Sequence, residues 1–122
     1  MTKKTPLSIR TLASVLAEVN QLSDWSDRPA SHANDQCFPG GDFPLHKVAI
    51  WGDVEAAAML LAHNADVNAQ GEDGDTALHR ARGDIEMVKL LLSRGAHGAI
   101  VNRYGDKALT DDAVEQVTLA RR

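Results

Sequence analysis

The sequence predicts an all-α fold: a solenoid of stacked helix-turn-helix units closed by a helical cap at each end. Two observations carry that expectation. The first is an internal repeat. Gly41-Asp42-Phe43-Pro44-Leu45-His46 returns 33 positions later as Gly74-Asp75-Thr76-Ala77-Leu78-His79, and in weaker form as Gly105-Asp106-Lys107-Ala108-Leu109-Thr110. The second is an apolar stretch at helical spacing after each of the first two turns, where Asp53-Val54-Glu55 with Leu60-Leu61 is answered by Asp84-Ile85-Glu86 with Leu91-Leu92.

Taken in order, residues 1–22 read as an N-terminal capping helix. Ser8 is placed to cap a helix of about residues 9–21, with Leu12, Val15, Leu16 and Val19 as its buried stripe. Residues 23–40 form an irregular loop rich in Ser, Asp, Pro, Asn and Gly. It contains Trp25 and Phe38, and Trp25 either folds back onto the cap or meets a partner. Residues 41–73 make the first full repeat. Its second helix should bury Val54, Ala57, Ala58 and Leu61, and Asn64 should close it in a left-handed conformation. Residues 74–104 make the second repeat, with Ile85, Val88, Leu91 and Leu92 as the matching stripe and Gly95 at the close. This repeat is shorter by two positions, since His79 to Asp84 spans 5 where His46 to Asp53 spans 7, so its first helix, about 77–82, must be clipped. Residues 105–122 give a partial repeat and a C-terminal cap. Asp111 and Asp112 start its helix, Ala113, Val114, Val117 and Leu119 cover the stack, and Arg121 and Arg122 suit its negative end.

Composition bounds the function. A chain of 122 residues fits one domain. A net charge of −4 with scattered Lys and Arg argues against nucleic acid as a partner. No stretch approaches the roughly 18 apolar residues a membrane span needs, and the apolar run at Leu12–Ala17 is closed by Glu18, unlike a secretory signal. The lone Cys37 has no internal partner, which fits a cytoplasmic location. His32, Cys37 and His46, separated by 5 and 9 positions, match no zinc spacing. Gly71, Gly74, Gly83 and Gly95 form no phosphate loop. Neither metal nor cofactor is expected, and no catalytic residue is assigned.

Over residues 38 to about 113 these landmarks, kept in register, resemble the ankyrin repeat, a turn with the signature Thr-Pro-Leu-His followed by two antiparallel helices. Phe43 departs from the signature Thr, Ala77 and Ala108 from the Pro, and Thr110 from the His. The resemblance implies that His46 and His79 hydrogen-bond within their turns. It also implies a concave face, built from turn tips and the first helix of each repeat, that holds a partner protein. Carried onto this chain, that face comprises Asp42, Ile50, Trp51, Glu72, Asp73, Asp75, Arg82, Arg103, Tyr104 and Asp106. Trp51 is either a binding anchor or packing against the clipped helix. Asp42, Asp75 and Asp106 share one repeat position and would stack as an acidic edge, either solvated or attracting a partner with a basic surface. The expected function is therefore a non-enzymatic protein-binding module. The alternatives are a bacterial immunity protein that occludes a toxin, which some small stand-alone members of the family resemble, and a metal- or cysteine-dependent enzyme.

Overall fold

The computed structural model describes residues 11–22, 30–35, 41–81 and 83–109. Among these described residues five helices follow one another: α1 (Leu12–Leu22), α2 (Pro44–Trp51), α3 (Val54–Ala62), α4 (Ala77–Arg80) and α5 (Ile85–Ser93), with a 3-10 turn at Glu72–Gly74. Among the described residues the one extended pairing is an isolated bridge between Val101 and Lys107.

Each helix starts and stops for a local reason. Pro44 opens α2 where its missing N–H is not needed, and Gly52, at φ 71°, closes it in the left-handed region. Asp53 then accepts the Ala56 N–H to cap α3, and Asp84 accepts the Met87 N–H to cap α5. The left-handed closures expected at Asn64 and Gly95 are present, at φ 71° and 94°. α1 is capped by Thr11, and the cap expected at Ser8 lies outside the described residues. The Ser14 N–H donates to Thr11 Oγ1 while the Thr11 N–H donates to Ser14 Oγ, a reciprocal pair that fixes the first turn. α4 is clipped, as the shortened spacing requires, to four residues.

The helices stack in two rows. α2 lies against α4, and α1, α3 and α5 form the second row, with α2–α3 and α4–α5 closing each pair. The core runs along the seam: Val15, Leu16 and Val19 from α1, Leu45 and Val48 from α2, Ala57 and Leu60 from α3, Leu78 from α4, and Met87, Val88 and Leu91 from α5. The stripe expected on α3 is turned, and the one expected on α5 holds at Val88 and Leu91 but not at Ile85. Ala56, Ala57 and Leu60 are buried while Val54, Ala58 and Leu61 are only partly covered, and Met87 is buried while Ile85 is exposed. A helix that meets an inner helix and a row neighbour at once buries a broader sector, displaced from the stripe a single partner would cover. α1 sits on α3 as α3 sits on α5. It thus occupies the place of the second helix of a truncated preceding repeat.

Within the stretch 23–40, the described residues 30–35 carry neither helix nor strand but are tied to the stack. Asn20 holds the Ala30 backbone by two bonds of 2.8 Å, and Ala30 and Ala33 are buried. Asn34 donates to the Asn64 carbonyl at 2.6 Å and accepts the Asp66 N–H at 2.7 Å. Asn68 repeats the arrangement on the Gly95 carbonyl and the His97 N–H. Residues 30–35 are thus a rung of the repeat. Trp25, Cys37, Phe38 and the expected C-terminal helix lie outside the described residues.

Candidate functional site

The turn tips and the exposed side of α2 hold the residues singled out in the sequence, and the structure sorts them into three groups. The first is a charged cluster at the base of the tips. Asp42 is 3% exposed, so it is a buried structural acid and not part of a solvated edge. Its carboxylate takes the Arg80 guanidinium in fork geometry, Nη1 to Oδ2 at 3.0 Å and Nη2 to Oδ1 at 3.1 Å, and accepts the Glu72 N–H at 2.9 Å. Arg80 Nε donates to Asp75 Oδ2 at 2.9 Å and Nη2 to the Glu72 carbonyl at 3.2 Å, while the Asn102 amide donates to Asp75 Oδ1. Lys47 approaches Asp42 at 3.6 Å. Of the three stacked acids, only Asp106 is exposed.

Burial alone would raise the Asp42 carboxyl, but the Glu72 N–H, the Arg80 guanidinium and the field of His46 outweigh it and hold it below the usual carboxylate value. Asp75 is lowered for the same reason: burial opposes ionisation, and the Asn102 amide and Arg80 prevail. Arg80 is raised, since the two carboxylates outweigh its own burial.

The second group is the pair of signature histidines. His46 Nδ1 accepts the Phe43 N–H at 3.0 Å and Nε2 lies 2.8 Å from the Asp75 carbonyl; His79 does the same with the Thr76 N–H at 2.9 Å and the Asp106 carbonyl at 2.9 Å. A ring nitrogen that accepts an N–H carries no proton, so the other nitrogen donates. The expected bond within the turn is there. The second bond, which ties each repeat to the next turn, is the part that spacing did not reveal.

The third group faces outward. Ile50 and Trp51 are 50% and 39% exposed, at the end of α2. The adjoining Gly52 comes near the start of α5, where Asp84 Oδ2 lies 2.9 Å from the position a Cβ on Gly52 would take. Asp73, at φ 62°, projects from the second tip, where its Oδ1 meets Arg103 Nη1 at 3.3 Å and the Tyr104 hydroxyl at 3.2 Å. The Arg103 N–H also donates to the Asp73 carbonyl at 2.9 Å, and its guanidinium lies 5.7 Å from the Tyr104 ring centre. Tyr104 is nonetheless 67% exposed. Two large side chains are therefore held in place and still presented to solvent. Glu72 and Asp106 are exposed, and Arg82 lies outside the described residues.

Among the described residues no three His, Cys, Asp or Glu side chains are grouped to hold a metal ion, and no helix is long and apolar enough to cross a membrane. Arg80, which joins the two turns, is the residue of this cluster that sequence reasoning missed. A signal existed: Lys47 and Arg80 share one repeat position, each 5 residues after an Asp.

Comparison with known proteins supplies the kinship. Residues 45–92 match the family described as ankyrin repeats in many copies. The chain is 38% identical over 71 residues to ankyrin repeat domain-containing protein 13B of Homo sapiens, covering 57% of this chain and 11% of that protein. It is 32% identical over 74 residues to protein phosphatase 1 regulatory subunit 27 of Mus musculus, covering 59% of this chain and 48% of that protein. It is also 35% identical over 71 residues to the B-cell lymphoma 3 protein homolog of Mus musculus, 57% of this chain and 16% of that protein. The matched stretch therefore spans less than half of each of these relatives.

Proposed function

Since residues 45–92 of this chain are ankyrin repeats, we propose that the protein is a non-enzymatic binding module that holds a partner protein across the exposed side of α2 and the turn tips. The observation that carries this reading is the exposure of Ile50 and Trp51 on a helix whose own core positions, Leu45, Val48 and Ala49, are already filled. Large apolar side chains that the fold does not use are the usual anchors of an interface, and Trp, Tyr and Arg are the commonest hot spots. Arg103 and Tyr104, steadied by Asp73, add a second anchor whose ordering cost on binding is reduced. One similar protein is named a regulatory subunit of a phosphatase, which agrees with a part that acts by contact and not by chemistry.

A basic-surfaced partner, and with it toxin neutralisation by an immunity protein, has less to rest on than the sequence suggested. Asp42 and Asp75 already face Arg80, leaving Glu72 and Asp106 as the exposed acids of that edge. Contact through Ile50, Trp51, Arg103 and Tyr104 is the reading we carry forward.

The test is capture of the partner from the native lysate, followed by its titration against purified wild type and Trp51→Ala. The substitution should weaken binding by about 2 kcal/mol, roughly 30-fold, with the helical circular dichroism unchanged. Unchanged affinity would remove α2 from the interface.

A further inference from the structure

One difference between the two signature histidines is a neighbouring oxygen. Thr76 Oγ1 lies 3.0 Å from His79 Nδ1, whereas Phe43, at the same repeat position, has no oxygen to offer His46. His46 is 1% exposed, and its ring is committed on both sides, accepting the Phe43 N–H and donating to the Asp75 carbonyl of the next turn. We propose that His46 is an acid-sensitive latch between the first and second repeats, engaged only while its ring is neutral, and that Phe43 in place of the signature Thr is what makes it so.

A proton taken from water onto Nδ1 turns that acceptor into a donor facing another N–H, so the bond to Phe43 is lost and no side-chain oxygen replaces it. The new cation also sits beside Arg80, which already balances Asp42 and Asp75. The charged groups acting on the ring are Asp42 from its own turn and Arg80 from α4; Asp75 and Glu72 belong to the second turn, which meets the ring through the Asp75 carbonyl and meets Asp42 through the Glu72 N–H, and Lys47 is next along α2. On the neighbouring helices α1 and α3, Glu18 and Glu55 occupy exposed positions. Burial dominates and pushes the imidazole below its ordinary value; Asp42 and the backbone bonds to Asp75 and Ala69 oppose it, and Arg80 adds to it. A histidine lowered on folding contributes stability that is whole above about pH 6.5 and is lost as the pH falls from there.

Urea unfolding of the whole chain, followed from about pH 7.5 to about pH 5, compares wild type with Phe43→Thr. Below about pH 6.5 the unfolding constant of wild type should rise relative to the variant by up to about tenfold per pH unit, because one proton is at stake. The exposed His32, His63 and His97 are common to both chains and drop out of the difference. Parallel profiles would overturn the proposal. A second measurement needs only wild type: the Phe43 amide resonance should lose its hydrogen-bonded shift in step with protonation of the His46 ring. A Phe43 amide that keeps its shift while His46 titrates would equally overturn it.

Discussion

At the scale of single residues, Arg80 is the side chain on which most converges. It spans two turns by bonding to Asp42, Asp75 and the Glu72 carbonyl, and its side chain is only 14% exposed. Removing one member of a buried ion pair leaves the other charge uncompensated, so Arg80→Met should lower stability by about 3 kcal/mol in urea unfolding. The sign of its pH dependence follows from the carboxyls. Asp42 and Asp75 are held below the usual carboxylate value, so they contribute stability that is complete above about pH 4 and is lost as the pH falls through their folded values. The gap between wild type and Arg80→Met should therefore narrow below about pH 4; a gap that stays constant into acid would show that the pairing is not its source. The repeat register made Asp42 and Asp75 visible as equivalent positions, and made Lys47 and Arg80 so too. Which acid faces inward was not visible, because burial of a side chain depends on what the next repeat lays over it. Gly71 does this here. A Cβ at that position would come within 2.5 Å of Asp42 Oδ1 and 2.9 Å of His46 Cε1, so the turn can close over both only without one.

At the scale of elements, helix closures were legible while helix faces were less so. The left-handed Asn64 and Gly95, the clipped α4 and the stripe of α1 all follow from local chemistry that a sequence displays. The turned face of α3 and the exposed Ile85 of α5 do not, because a hydrophobic stripe read from spacing assumes one partner and these helices have more than one. The rung at residues 30–35 was hidden for another reason: its Asn34 lies 34 positions before Asn68, inside a stretch whose composition reads as loop. The same two-bond contact joins Asn34 to the turn at Asn64–Asp66 as joins Asn68 to the turn at Gly95–His97. Asn34→Ala should thus cost about 1–2 kcal/mol, far more than an unattached loop residue would. A change within about 0.5 kcal/mol would mean that the stretch contributes nothing to the stack.

At the scale of the whole molecule, the stack presents a face whose charges are largely matched, with Arg80 on Asp42 and Asp75 and Arg103 on Asp73. Association with the captured partner should therefore slow by no more than about threefold as salt rises from about 0.05 M to about 0.5 M. A steep decline would restore the acidic edge and the basic partner it implies. What could be read from residue order alone was everything that repeats: the period, the two helices per unit, the shortened second unit, and the ankyrin kinship that the comparisons bear out. These are local or periodic, and a periodic pattern survives being read along a line. The contacts between units could not be read that way. That Asp42 is covered, that each signature histidine reaches the following turn, and that Ile50 and Trp51 stay uncovered all depend on one repeat lying against the next. Neighbours some 30 positions apart meet only when the stack forms, so their chemistry is a property of the assembled solenoid.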